Sequence, residues 1–189
     1  MRSFSSAFVI VQQLTLPYKN GKKNTMDPAD YQKKAALPMN PDLTREERIE
    51  MCLLGIAGEV GEIIDIRKKE KFHGVFVTRE KYEEEIGDVA WYVANLLTAQ
   101  GEKYTVMRPI PSEHQDEPGL DETLKKLYVA ASHFTVRSAR LVNSLLYAVS
   151  IQLGCGPFEQ ILARNIRKLE NRYPNGFTTK DSLERRDRL

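Results

Sequence analysis

Two pairs of acidic residues are spaced so that each pair lies on one side of a helix. Glu59 and Glu62 are three residues apart, and Glu85 and Asp88 repeat that spacing. Residues three apart are neighbours on a helix surface, so both carboxylates of a pair project from one side of one turn. Like charges at this spacing repel and destabilise an isolated helix by about 0.2–0.5 kcal/mol. Such a concentration of negative charge needs a compensating cation.

Carboxylates supply only oxygen ligands, and oxygen ligands favour a hard divalent ion. We therefore expect Mg²⁺ as the cofactor, with Mn²⁺ as a substitute, rather than zinc. Mg²⁺ usually shares its coordination with substrate phosphates, which indicates activation of a water, or charge neutralisation, at a phosphoanhydride. An acidic helix pair more often forms a solvated face. Here glycines lie in the same helices, where each costs about 1 kcal/mol relative to alanine. Glycines at this spacing make sense if another backbone or a ligand approaches closely: Gly55, Gly58, Gly61 and Gly87.

The elements that carry these acids are predicted to be helices. Asp27 followed by Pro28 is typical of a helix start. Thr44, with an acidic residue three positions later, indicates a capping box for a helix that runs to about Lys71. Thr78 can cap a third helix, which runs to about Gln100. Because the connection between the second and third helices is short, we expect an antiparallel hairpin that brings the two acidic pairs together.

The rest of the chain also favours helices. Residues 104–120 hold three prolines and no periodicity, which predicts a loop. Apolar periodicity then predicts one long helix of nearly thirty residues from Asp121, and a last helix from Pro157 that ends before Pro174. Strand signals are scarce. The sequence therefore predicts an all-α helix bundle of about five helices.

The chain divides into a helical domain and two polar ends. Residues 1–26 lack acidic residues, and we interpret them as a flexible basic extension, with an early start codon before Met26 or a transit peptide as alternatives. Residues 27–177 form the predicted helical domain. Residues 178–189 are predicted to be a polar tail.

Composition excludes several classes of protein. The 189 residues are 41% hydrophobic with a net charge of +2, which does not suggest a disordered chain or an obligate nucleic-acid binder. No run of 18 apolar residues occurs, so no membrane span is expected. Two cysteines are too few for a disulfide scaffold and fit free thiols in the cytoplasm.

These motifs resemble those of a known family. Glu59-x-x-Glu62 followed by Glu85-x-x-Asp88 resembles the ExxE…ExxD signature of the MazG-like, all-α nucleoside triphosphate pyrophosphohydrolases. Asp30-Tyr31-Gln32 is similar to the start of that family's first helix, and the stretch from Asn165 to Phe177 is similar to its C-terminal part. The resemblance covers roughly residues 27–177.

The resemblance implies Mg²⁺-dependent hydrolysis of a (deoxy)nucleoside triphosphate to the monophosphate and pyrophosphate, as in nucleotide-pool sanitation. Glu59, Glu62, Glu85 and Asp88 would be the metal ligands and catalytic residues. One of them, or a carboxylate just outside them, would orient or deprotonate the attacking water. The resemblance also implies a homodimer or homotetramer with pockets that the partner subunit helps to complete.

Basic residues are available for the phosphate chain. Lys168 and Arg172 lie four apart, so they share a helix face, and they fall in the stretch that resembles the family. Lys69 ends the helix that bears Glu59, where it either contacts phosphate or complements the helix dipole. An arginine fork and a lysine point charge both suit phosphate.

Polar and aromatic residues near the acids are candidates for nucleoside binding. Tyr92 and Asn95 follow Asp88 by four and seven residues and extend the acidic face. Tyr92 could stack on a base, and Asn95 could hydrogen-bond the base or ribose. Asn165 and Tyr31 are further candidates.

The sequence also leaves alternative functions open. The chain has no HExxH, CxxC or P-loop pattern, so zinc enzymes and P-loop enzymes are not indicated. A narrower dUTP/dUDP hydrolase or phosphoribosyl-ATP pyrophosphohydrolase is an alternative within the enzyme class. A non-catalytic helical interaction protein is the alternative from another class.

Overall fold

Six helices form the bundle in the residues that the computed structural model describes, 25–106 and 118–180. This confirms the all-α bundle, with six helices instead of about five. Residues 1–24, 107–117 and 181–189, which hold most of the predicted extension, loop and tail, lie outside the described residues. The helices are α1 (Pro28–Ala35), α2 (Arg45–His73), α3 (Arg79–Ala99), α4 (Leu120–Ser132), α5 (Val136–Gln152) and α6 (Phe158–Arg172).

Helix α2 begins and ends as its sequence predicts. The Thr44 hydroxyl accepts the Glu47 backbone N–H at 3.2 Å, and the Glu47 carboxylate accepts the Thr44 N–H at 2.8 Å, which is the capping box. Gly74 ends the helix with φ at 66°, a left-handed conformation that favours glycine. These two signals give α2 a fixed register, so they determine where its acidic residues lie.

Helix α3 is the centre of the bundle. It packs against α1, α2, α5 and α6. A helix that is apolar on most sides lies in the core, and Ile86, Val89, Val93 and Leu96 are fully buried. Burial of each such side chain contributes about 1.5–3 kcal/mol. The acidic residues of α3 therefore sit on a rigid element with neighbours on several sides.

The prediction of one long helix from Asp121 was wrong. The chain breaks at Phe134, which has φ at 48°, and then starts again at Thr135. The Thr135 hydroxyl accepts the Ser138 backbone N–H at 3.2 Å and so caps α5. Because the apolar periodicity continues on both sides of the break, periodicity alone does not reveal it. Helix α5 folds back and packs against α4 to form a hairpin.

The two cysteines are free thiols, as predicted. Burial raises the pKa of Cys52 to about 12 and that of Cys155 to about 11. Since the thiolate is the reactive form, these shifts lower the reactivity of both side chains near neutral pH. In the described part of the chain, no helix has both the length and the apolar content to cross a bilayer.

Candidate metal centre

Three of the four predicted metal ligands meet where α2 packs against α3. Glu59 lies on α2, and Glu85 and Asp88 lie one turn apart on α3. Each offers one carboxylate oxygen, and these oxygens lie within 4.8 Å of one another. We call Glu59, Glu85 and Asp88 the carboxylate cluster. A set of oxygen donors this close together fits a hard divalent ion such as Mg²⁺ or Mn²⁺.

Glu62, the fourth predicted ligand, is exposed and is not part of the carboxylate cluster. Side chains three residues apart on a helix differ in direction by about 60°. Val60 and Ile63 point into the core. Glu59 therefore lies at the edge of the buried face, and Glu62 lies further round toward solvent. A role for Glu62 as a ligand stays a prediction, and it requires a change of side-chain direction.

Burial and mutual repulsion oppose the charged forms of the cluster carboxylates. Burial, followed by the nearby charges of Asp88 and Glu85, raises the pKa of Glu59 from its ordinary 4.5 to about 7. Burial also raises the pKa of Asp88, although the positive charge of Lys168 opposes that shift. A divalent ion would favour the charged forms, because opposite charge lowers the pKa of a carboxyl group. The electrostatics of the carboxylate cluster thus favour a cation.

Two lysines contact the carboxylate cluster from different helices. The Lys168 ammonium, on α6, lies 2.6 and 2.5 Å from the two carboxylate oxygens of Asp88. The Lys81 ammonium, on α3, lies 2.5 Å from the Glu85 carboxylate. Glu59 forms no ion pair with any residue in the described ranges. Two ammonium groups therefore face three carboxylates, which leaves the negative charge only partly compensated.

A chain of hydrogen bonds fixes one oxygen of Asp88. The Asn165 side-chain amide donates to Asp88 Oδ1 at 2.8 Å, and the Asn165 Oδ1 accepts from the Tyr31 hydroxyl at 2.9 Å. Tyr31 is fully buried, and Asn165 is buried. Two of the four predicted nucleoside contacts, Asn165 and Tyr31, thus belong to a chain of hydrogen bonds that positions the Asp88 carboxylate.

Close packing explains two of the four helical glycines. A Cβ at Gly55 would lie 2.3 Å from the Tyr92 ring, and a Cβ at Gly87 would lie 3.0 Å from Asn165 Cβ. Side chains, rather than a backbone or a ligand, therefore make the close approaches at these two positions. A Cβ at Gly58 or Gly61 would meet no atom within 4 Å beyond its own stretch of helix in the described part of the chain, so the expected close approach is not found there.

A cavity of about 480 Å³ opens beside Glu59 and Asp88. The rings of Trp91 and Tyr92 meet edge to face in its wall, with centroids 4.8 Å apart. Arg172 lines the same space. We call this space the aromatic cavity. Its remaining lining is mostly apolar: Pro38, Met39, Asn40, Leu43, Met51, Leu169, Tyr173 and Phe177.

The other predicted site residues lie in different places. Tyr92, predicted as a base contact, and Arg172, predicted as a phosphate contact, both line the aromatic cavity. Lys69 pairs with Asp65 at 2.6 Å and is not among the residues that line the cavity. The buried Asn95 amide donates to the Ala35 carbonyl at 3.1 Å and so ties α3 to α1.

Sequence reasoning missed three residues near the site. Lys81 was detectable, because it precedes Glu85 by four residues on one helix face. Met39 and Met51 line the aromatic cavity, but nothing in their local sequence distinguishes them from ordinary core methionines. Their contribution depends on how α1, α2 and α3 pack.

We compared the chain with protein-family models, with curated proteins and with solved structures, and none of these comparisons found a match. The family resemblance therefore depends on the motifs themselves. What it implies about activity is carried below as a proposal.

Proposed function

We propose that this protein hydrolyses (deoxy)nucleoside triphosphates between the α and β phosphates, with Mg²⁺ as cofactor, to give the nucleoside monophosphate and pyrophosphate. The observation that carries the proposal is the position of the carboxylate cluster at the edge of the aromatic cavity. Glu59 and Asp88 belong to both, and Arg172 lines the same space. Acidic, basic and aromatic groups thus meet in a cavity of about 480 Å³.

Each group suits one part of the proposed substrate. The aromatic faces of Trp91 and Tyr92 provide a surface for a nucleobase. Arg172 offers a planar fork that matches phosphate oxygens in two hydrogen bonds. The carboxylate cluster would hold the divalent ion, which supplies charge neutralisation on the phosphate chain and helps to activate water.

The proposed reaction is an attack by water on the α-phosphorus. A new bond forms between the water oxygen and phosphorus, while the bond from phosphorus to the bridging oxygen breaks and its electron pair leaves with pyrophosphate. A carboxylate near the reacting water accepts the proton. Within the described residues, Glu59 is the cluster carboxylate that no lysine contacts, so its oxygens are available for that role.

A panel of substrates tests the proposal. Purified protein is given each ribo- and deoxynucleoside triphosphate, and separately dUDP and phosphoribosyl-ATP, with Mg²⁺ in ¹⁸O-labelled water. We expect monophosphate and pyrophosphate, with the label in the monophosphate. Turnover of dUTP and dUDP alone, or of phosphoribosyl-ATP alone, would identify a narrower enzyme. No turnover across the whole panel would refute the enzyme proposal and favour a helical interaction protein.

Substitution of one cluster carboxylate gives the sharper form of that experiment. Asp88→Asn should lower turnover by at least about 100-fold, because it removes a charged oxygen that the ion and the neighbouring donors need. Glu50→Gln is the matched control, since Glu50 is an exposed acid on α2 far along the helix from Glu59. Equal rates for the two variants, with circular dichroism showing both folded, would contradict the site assignment.

A further inference from the structure

The ammonium group of Lys168 is placed where a cation on Asp88 would be. It lies within 2.6 Å of both carboxylate oxygens. Its side chain is only 16% exposed, whereas most lysines that pair with acids in this protein are about half exposed. An ammonium held so far from solvent on one carboxylate acts as that carboxylate's counter-ion rather than as a surface charge.

The two donors to Asp88 differ in how firmly they are held. The Asn165 amide is fixed at both ends, by Asp88 and by the Tyr31 hydroxyl, and it packs against Gly87. Lys168 holds Asp88 through an ammonium at the end of a four-carbon stem with several rotatable bonds. Of the two, Lys168 is the group whose polar atom can leave Asp88 by rotation about its own side-chain bonds.

An alternative position for the Lys168 ammonium lies close by. The Glu84 carboxylate is 3.8 Å from its Nζ. Lys168 also lines a second cavity of about 180 Å³, together with Glu80, Glu84 and the ion pair between Glu83 and Arg164. The side chain can therefore move away from Asp88 and still face negative charge.

We propose that Lys168 is an exchangeable internal counter-cation, which a divalent ion must displace from Asp88 in order to bind the carboxylate cluster. This inference rests on the proposed metal centre, and it adds that Lys168 controls how tightly the centre binds its ion. The two cations compete for the same oxygens, so Lys168 raises the metal concentration that is needed to half-fill the centre. Once displaced, the ammonium is next to the ion and free to contact a phosphate chain, so metal and triphosphate bind cooperatively.

Metal affinity without any substrate tests the competition. Mn²⁺ binding to the full chain is measured by electron paramagnetic resonance and by calorimetry. We expect Lys168→Met to bind Mn²⁺ at least about fivefold more tightly than the unsubstituted protein, because it removes the competing charge. Lys168→Arg, which keeps the charge, should restore an affinity close to that of the unsubstituted protein. Lys33→Met, at a surface ion pair on α1, is the control for the loss of one positive charge.

The outcomes separate this inference from the proposed function. If the unsubstituted protein binds Mn²⁺ and Lys168→Met binds it equally or less tightly, the counter-cation role is overturned and the metal centre stands. If neither the unsubstituted protein nor any variant binds Mn²⁺, the metal centre fails and the role of Lys168 fails with it.

The cooperativity has a test of its own. A triphosphate with a non-hydrolysable α–β bridge should tighten Mn²⁺ binding to the unsubstituted protein several-fold. The same nucleotide should tighten Mn²⁺ binding to Lys168→Met less, since no displaced ammonium is left to contact it. Equal tightening in both proteins would overturn the coupling.

Discussion

The carboxylate cluster lies between α2 and α3, and the α4–α5 hairpin packs against the same two helices. The two regions are built in opposite ways. At the cluster, polar groups are withdrawn from solvent and paired, as with Asp88, Asn165 and Tyr31. On the hairpin, apolar groups face solvent: Tyr128, Val129 and Leu141 are each more than half exposed. Buried paired charge indicates chemistry, and exposed apolar surface indicates contact with another molecule.

The largest effect is expected on α2, where Glu59 belongs to the carboxylate cluster and Glu62 does not. Glu59→Gln should weaken Mn²⁺ binding on the order of 100-fold, because a direct ligand matters at least as much as the groups that orient ligands. Glu62→Gln should weaken it less than about threefold, since its side chain is exposed. Calorimetry measures both. A loss for Glu62→Gln as large as that for Glu59→Gln would mean that its side chain turns into the site when the ion binds.

The second test concerns the hairpin and the predicted homodimer or homotetramer. Leu141→Glu places a charge among exposed apolar side chains and should raise the dissociation constant of the oligomer at least about tenfold. Leu54→Glu is the matched control, because Leu54 is an equally exposed leucine on α2. Analytical ultracentrifugation measures the change. Dissociation by Leu54→Glu alone would place the contact on α2, and a monomeric unsubstituted protein would contradict the prediction of an oligomer.

The smallest expected effect is on stability as pH changes. Because the pKa of Glu59 is about 7 in the folded protein and near 4.5 when unfolded, the folded state binds more protons between these values. Glu59 therefore favours folding most below pH 4.5, and this advantage disappears as pH rises through 7. Relative to Glu59→Gln, the unsubstituted protein should lose about 1–2 kcal/mol between pH 5 and 8, after allowance for solvent screening. Urea unfolding in a chelating buffer measures this, and parallel curves for the two proteins would contradict it.

Local signals in the sequence predicted the elements better than the contacts between them. The capping box at Thr44 and the left-handed Gly74 determine α2, and both are written in a few adjacent residues. The break at Phe134 was missed because α4 and α5 share one apolar periodicity, so only the Thr135 cap marks it. Signals that act within four residues are therefore the ones that a single sequence reveals.

The same distinction between local signals and long-range contacts holds for the candidate site. The spacing of three residues predicted that Glu85 and Asp88 share a face, but it could not tell which of Glu59 and Glu62 turns inward. That choice depends on the rotation of α2 about its axis, which Val60 and Ile63 set by packing in the core. The contact from Lys168 to Asp88 spans 80 residues of chain, so no local pattern contains it.

That span also determines the order in which the residues of the site are synthesised. At about 5–20 residues per second, a ribosome adds Asp88 about 4–16 s before Lys168. The α2–α3 hairpin, whose contacts are local, can therefore form while its acids still lack the lysine of α6. Until α6 is made, only dissolved cations would be available to compensate Asp88, and Lys168 would take over that role once α6 packs against α3.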